Sequence, residues 1–355
     1  MRVLALPKYG RLAASTRQRF VAFEPALKQA GFEIDYAPLL DDTHLRRLVA
    51  GRRAHPANIL RSYSRRVLDL LTAHRYDILW VHCELFPYLP SGFELLGLLW
   101  RRPIIYDFDD AIFHMYDRAE RPWIRRLLGG KLESLLRRSR ACCCGNPYLQ
   151  SYAQQFCPNS IVVPTVVDTD AYVPTSVANP GPLTIGWIGS PSTWANVRPL
   201  LPLLERLCAR HSVRVRAVGA GAEAARDRFD GLDLVTWSEA SEISDVQAMD
   251  IGIMPLLDLP FQRGKSGYKL IQYMACGLPV VASPVGVNSG IVDPTHGLLA
   301  TSEAEWEAAL ERLIADPALR TSMGAAGRSR AVEAYSLASQ APRLVELFRS
   351  IVKGE

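Results

Sequence analysis

Three cations, Arg263, Lys265 and Lys269, fall within seven residues that also contain Gly264, Ser266 and Gly267. A basic, glycine-containing loop entering a helix suits a phosphate-bearing ligand. The first N–H groups of a helix have no intrahelical partner and favour an anion, and the cations add formal charge. The residue pattern predicts that helix over 266–276, with Gly277 as a left-handed terminator and Pro279 blocking continuation. Val280, Val281 and Ala282 then read as a strand buried on both faces of a parallel sheet. Gly186-Trp187-Ile188-Gly189-Ser190-Pro191-Ser192-Thr193 offers a second phosphate loop. Amides around Gly189 and Ser190 are placed to hold a diphosphate against a following helix, and a plain strand-to-helix turn is the alternative. Trp237, at the end of a later strand, is grouped with these ligand-binding residues.

Asp107-Phe108-Asp109-Asp110 offers a different chemistry at the end of the strand Ile104-Ile105-Tyr106. Open α/β folds place their sites at the C-terminal edge of strands, and closely packed carboxylates raise at least one pKa enough to handle a proton. Asp109 is the first candidate for an active-site carboxylate and Asp110 the second. A helix cap with solvated neighbours is the plainer alternative. Glu84 lies just past Trp80-Val81-His82, on the neighbouring edge, where it would bind acceptor hydroxyls or orient Asp109. His82 reads more as a packed strand residue than as a catalyst, and at that edge it counts among the acceptor-side residues. Gly10, Arg11, Ser15, Arg17 and Arg19 surround the first strand-to-helix junction. Arginines there could neutralise a diphosphate leaving group or bind a pyrophosphate-bearing acceptor.

Composition narrows the classes. A chain of 355 residues is long enough for two domains, and 48% hydrophobic residues support large cores rather than disorder. No apolar run is long enough to span a bilayer, and Met-Arg-Val-Leu-Ala-Leu-Pro reads as a strand rather than a signal peptide. Seven cysteines include adjacent Cys142, Cys143 and Cys144 with no CxxC pair. That pattern predicts buried, reduced thiols in the cytoplasm, and no metal is assigned because zinc-ligand spacing is missing. Gly219-Ala220-Gly221-Ala222-Glu223-Ala224 imitates a dinucleotide fingerprint, but a lone GxGxxA is weak and no cofactor is assigned. Residues 1–175 carry 24 Lys and Arg against 17 Asp and Glu, whereas the remainder carries 17 against 19. The first half therefore presents a basic surface suited to anionic lipid or nucleic acid, although no basic-aromatic groove pattern supports nucleic acid. Trp123, Leu127 and Leu128 alternate with Arg121, Arg125 and Arg126 in a helix expected near 121–139. Such a helix can lie on an anionic membrane or pack against its own domain.

Strand-like and helix-like segments alternate throughout, which predicts α/β architecture with parallel sheets. Expected strands are 2–6, 32–37, 77–82, 104–109, the cysteine run and 161–163. Ser15 and Gln18 have capping-box spacing for a helix running to Gly31, and arginine-rich helices fill 43–74. A proline-rich tract from Pro164 to Pro182 separates the halves. Strands resume at 183–189, 213–219, 232–237, 250–254 and 279–285, and three helices close the chain from about Glu303.

The segment Met249-Asp250-Ile251-Gly252-Ile253-Met254-Pro255, the run from Tyr273 to Val281, Gly297-Leu298-Leu299 and Met323-Gly324-Ala325-Ala326-Gly327-Arg328 occur in that order. Together they resemble the family 4 retaining glycosyltransferases, over roughly a hundred residues. The resemblance implies a GT-B fold, two Rossmann-like parallel-sheet domains facing a cleft. Its divisions would be an acceptor-side domain at 1–170, a linker at 171–182, a nucleotide-sugar domain at 183–335, and a helix at 336–355 crossing back. It implies a nucleotide diphosphate sugar as donor, with Gly10, Arg11, Gly189, Ser190, Trp237, Arg263, Lys265, Ser266, Gly267, Lys269 and Gln272 on the donor side. Ser15, Arg17, Arg19 and His82 would face the acceptor, a glycan or lipid-linked molecule. Two glutamates eight positions apart mark such relatives, and here those positions hold Gly264 and Gln272; the resemblance sets Gln272 against the ribose. The Asp107/Asp109 pair also resembles the metal motif of the other large glycosyltransferase class, which lacks the second half found here. A non-catalytic sugar-nucleotide or glycan-binding protein on the same fold is the alternative.

Overall fold

Twelve strands dominated by aliphatic, aromatic and cysteine side chains form two six-stranded sheets in a computed structural model that describes residues 1–49, 55–175 and 181–353. Residues 50–54 of the arginine-rich stretch, 176–180 of the expected linker and 354–355 of the expected last segment lie outside the described residues. The paired strands run parallel, so each connection must cross over the sheet, usually as a helix, and both sheet faces are buried. The chain divides into two compact units, one comprising 1–166, 263–266 and the residues from 340 on, the other 167–262 and 267–339.

The first unit holds β1 (Arg2–Leu6), β2 (Glu33–Tyr36), β3 (Ile78–His82), β4 (Ile104–Phe108), β5 (Ala141–Cys144) and β6 (Ser160–Val162), in the order β2-β1-β3-β4-β5-β6. Each residue of β3, β4 and β5 is buried, as central strands between two helical layers must be. The three adjacent cysteines lie in β5, and all seven cysteines are free thiols. Phe348, from the last helix, Leu337–Lys353, packs edge-on against Trp80 and Phe32 in this unit's core.

The second unit holds β7 (Leu183–Ile188), β8 (Val213–Val218), β9 (Leu232–Val235), β10 (Ile251–Met254), β11 (Val280–Ala282) and β12 (Gly297–Leu299), in the order β12-β11-β10-β7-β8-β9. Numbered within the unit, this is the Rossmann order 3-2-1-4-5-6, reversing between β7 and β10. In the first unit the reversal falls between β1 and β3. Open α/β sheets take ligands outside the carboxyl ends of strands at such reversals.

Three helices differ from expectation. Ser15 lies inside the helix Ala14–Arg19, with Ala13 at its N-cap, and no continuous helix runs to Gly31. The α-helix breaks at Phe20, the chain turns through a 3-10 segment at Val21–Phe23, and α-helix resumes at Glu24–Gln29, because burying Phe20 and Phe23 overrides local propensity. The basic helix divides at Gly129 and Gly130 into Pro122–Leu128 and Glu133–Leu136. Leu128, Leu132, Leu135 and Leu136 are buried, while Trp123 and Leu127 are 55% and 62% exposed. The helix expected at 266–276 spans Tyr268–Ala275, preceded by Gly267 at φ 70°, and Gly277 takes the left-handed φ of 73° expected of a terminator. Among the described residues no helix is long and apolar enough to cross a membrane.

Candidate functional site

β3 and β4 pair with His82 opposite Asp107, so their ends bring His82, Cys83, Asp107 and Asp109 to one edge of the first sheet. Asp107 is already committed. It is buried and takes two hydrogen bonds from Arg19, at 2.8 Å and 3.2 Å. A paired, hydrogen-bonded buried cation of this kind is structural, which removes Arg19 from the acceptor-binding set and Asp107 from the metal motif. Arg17 donates to the Leu12 carbonyl at 2.9 Å, and Ser15 is half-buried in its helix. Gly10 and Arg11 border a cavity of about 500 Å³ shared with Tyr9, Glu24 and Asp42.

Asp109 stands apart from Asp107. Its Oδ1 lies 3.2 Å from His82 Nε2, and its side chain is 15% exposed. Burial pushes Asp109 upward, but the His82 hydrogen bond and the charges of His82, Arg19 and Lys265 hold it below the usual carboxylate value. Burial pushes His82 down, yet Cys83 and Asp109 outweigh it and hold the imidazole well above its ordinary value. Asp110 accepts from Lys265 Nζ at 3.0 Å. Burial raises it, with Asp109 adding to the rise and Lys265 opposing. Two adjacent carboxyls with pKa values displaced in opposite directions can divide an electrostatic role from a proton-holding one. His82, read from the sequence as packing, is the residue that contacts Asp109.

Glu84 does not orient Asp109. Its carboxylate is fully buried and accepts from Lys131 at 2.9 Å, Tyr116 at 2.6 Å and Lys8 at 3.2 Å. Lys131 also donates to Glu94 at 2.6 Å. This network is a buried support beneath the edge. Lys131 falls within the basic helix expected near 121–139, and its burial was not foreseen.

Arg263–Ser266 packs with the first unit. Gly264 has no room for a side chain there: an added Cβ would lie 2.3 Å from the Ala111 Cβ and 2.7 Å from the Ala111 nitrogen. Packing therefore forbids a glutamate at this position. Asn146, buried at the N-cap of Pro147–Ala153, donates to the carbonyls of Gly264 at 2.9 Å and Lys265 at 3.2 Å. Sequence reading missed Asn146, whose grip on a loop 118 residues away carried no local signal. Lys265, expected to face a diphosphate, is paired with Asp110.

In the second unit, β7 and β8 end in adjacent glycine turns. Gly219 adopts φ 78°, and a Cβ on it would lie 2.4 Å from the Gly189 carbonyl oxygen, so its glycines serve this close approach. No α-helix follows Gly189 directly. Residues Pro191–Asn196 form a 3-10 turn in which Thr193 Oγ1 takes the Ser190 N–H at 3.1 Å, and the next α-helix is Leu201–Arg210. The expected diphosphate seat against a helix N-terminus is corrected to a capped turn. Lys269 Nζ lies 5.7 Å over the Trp187 ring, on the helix that Gly267 precedes. Gln272 is 3% exposed, and its amide donates to Glu242 and to the Tyr172 hydroxyl, both at 3.0 Å. Trp237 donates to the other Glu242 oxygen at 2.7 Å. The carboxylate of this cluster thus belongs to Glu242, which sequence reading missed, and the Gln272 amide is turned to that cluster. A glutamate at 272 would face Glu242 with like charge at hydrogen-bond distance, whereas an amide satisfies it.

Comparison with known proteins gives a consistent picture. The chain superimposes over its full length on sucrose-phosphate synthase from Thermosynechococcus elongatus, with a TM-score of 0.76, 15% identity and 100% of both chains covered. HepE from Anabaena, solved with UDP-glucose, aligns with a TM-score of 0.72 and 15% identity, covering 99% of this chain and 100% of that one. These likenesses show the two-domain, Rossmann-like GT-B fold. In sequence, 167 residues are 29% identical to the D-inositol 3-phosphate glycosyltransferase of Segniliparus rotundus, covering 44% of this chain and 37% of that protein. The match therefore spans little more than a third of that relative's length. Residues 182–316, nearly all in the second unit, match the family model described as Glycosyl transferases group 1.

Proposed function

We propose that the protein is a retaining glycosyltransferase that moves a sugar from a nucleotide diphosphate donor to a glycan or lipid-linked acceptor in polysaccharide, lipopolysaccharide or glycolipid biosynthesis. The observation that carries this reading is the group 1 glycosyltransferase match on a sheet of 3-2-1-4-5-6 order. The donor binds the second unit, with the Gly189 and Ser190 turn and Lys269 near its diphosphate and Trp237 at the same sheet edge. Arg263, Lys265, Ser266 and Gly267 are assigned to the same donor. Stabilising the departing diphosphate is the main electrostatic task, and fixed cations and backbone dipoles perform it without reorganising. Asp109, ionised and backed by His82, supplies a carboxylate for the sugar or acceptor, with Asp110 beside it paired to Lys265. The reaction runs on the cytoplasmic side, where Trp123 and Leu127, exposed among arginines, rest on anionic lipid.

A nucleotide panel followed by unfolding temperature tests donor binding. Ligand at a hundred times its dissociation constant adds about 2.7 kcal/mol of stability, and no shift with any nucleoside diphosphate or its sugar would remove the donor assignment. Lys269→Ala keeps the core and loses one cation, so calorimetry should show nucleoside diphosphate affinity weaker by about 1.5–3 kcal/mol. Unchanged affinity would move the phosphate role to Lys265 or Arg263. The transfer itself is metal-independent in this reading, and EDTA leaves turnover undiminished; activity lost to EDTA and restored by magnesium or manganese would contradict it. One observation favours a second reading, a non-catalytic sugar-nucleotide binder: neither Gly264 nor Gln272 presents a carboxylate to the donor. Such a protein would bind the donor and release no nucleoside diphosphate over time.

A further inference from the structure

We propose that His82, Cys83 and Asp109 form a site for a soft divalent cation of the zinc class, and that occupation withdraws Asp109 from the reaction. The second clause rests on the transfer role of Asp109; the site itself does not. His82 Nε2 is 3.2 Å from Asp109 Oδ1 and 3.4 Å from Cys83 Sγ, and the three ligand atoms lie within 4.8 Å of one another. A tetrahedral zinc ion bonds nitrogen and oxygen at about 2.0 Å and sulfur at about 2.3 Å, which puts its ligand-to-ligand edges at about 3.3–3.6 Å. The two measured edges are already of that size, so an ion seats with small side-chain adjustments.

The donor set selects the metal. Thiolate, imidazole and one carboxylate suit zinc, whereas magnesium and calcium take oxygen ligands. Charge also balances: a doubly charged ion held by a thiolate, a carboxylate and a neutral imidazole leaves the cluster at zero, with the protons it displaces going to solvent. Cys83 sits at φ 63°, a conformation rare for a residue with a side chain, with its Sγ against the preceding ring and its carbonyl held by the Tyr106 hydroxyl. Three protein ligands leave a fourth position open, as in exchangeable rather than sealed sites. His82 and Cys83 are each 3% exposed and the Asp109 side chain 15%, so Asp109 is the most accessible of the three ligands.

Cobalt(II) titrated into the intact chain tests the site, because a thiolate ligand gives sulfur-to-cobalt absorption and tetrahedral geometry gives intense visible bands. The expected result is one cobalt per chain, displaced by zinc, with the absorption lost in Cys83→Ser and zinc affinity lowered there by at least about tenfold. No absorption in the wild type, or absorption surviving in Cys83→Ser, overturns the site. The wild-type titration stands even if the buried substitution impairs folding. Turnover separates the two clauses. Zinc that slows transfer, with EDTA restoring it, supports both. Stoichiometric zinc bound through Cys83 with transfer unchanged overturns the role of Asp109 and leaves the site standing.

Discussion

Changing Asp109 to asparagine should lower turnover by at least about a hundredfold, the lower end for electrostatic or acid–base roles, and should leave affinity for the nucleoside diphosphate within a few fold. The substitution keeps size and most hydrogen bonding while removing the charge that His82, Arg19 and Lys265 hold ionised. Asp109 belongs to the first unit and the Gly189, Gly219 and Lys269 elements to the second, so chemistry and donor binding should separate. Steady-state kinetics beside calorimetry measure the two quantities. Normal turnover would demote Asp109 to a structural acceptor for His82. Joint loss of turnover and nucleotide affinity would mean that it supports the donor site or the fold.

The second large effect is on stability. Glu84→Gln should cost about 3 kcal/mol, the lower end for breaking a buried ion pair, because Lys131 keeps Glu94 as a partner. The pH dependence has a definite sign. Burial raises the Glu84 pKa, but Lys131, Lys8 and Tyr116 outweigh it and hold it below its ordinary 4.5. A carboxylate depressed in the folded state contributes stability that is fully present above its unfolded value and lost as pH falls through the folded one. Urea unfolding at a series of pH values should therefore show wild type and Glu84→Gln converging below about pH 4.5. A difference that persists unchanged into acid would assign the cost to packing instead.

Much of the fold was legible because parallel sheets leave an unambiguous pattern. Val280 to Ala282, Cys142 to Cys144 and Ile104 to Tyr106 are unbroken apolar or cysteine runs, and the structure places each in a central strand. The short strand Gly297–Leu299 stood out only as part of a motif, since three residues carry no periodicity of their own. Helix boundaries failed where tertiary contacts decide them. Phe20 ends a helix by being buried, and Ser15, with a capping sequence, caps nothing.

The site was legible by position more than by role. Asp109 and Asp110 were identified from the strand end they follow, and the structure gives them separate partners in His82 and Lys265. The pairings of Arg19 with Asp107 and of Glu84 with Lys131 join residues 88 and 47 positions apart, and no local spacing encodes them. Gly264 and Gln272 looked like losses from a motif. Their surroundings give a physical reason for each, a backbone with no space for a side chain and an amide that satisfies Glu242.

The most direct measurement follows a radiolabelled sugar from a panel of nucleotide diphosphate donors, UDP-glucose first, into extracted glycan and glycolipid acceptors. The account predicts label in an acceptor product, with nucleoside diphosphate released in equal amount, abolished in Asp109→Asn and undiminished by EDTA. A donor that binds yet returns intact, with no label in any acceptor and no nucleoside diphosphate released, would contradict it.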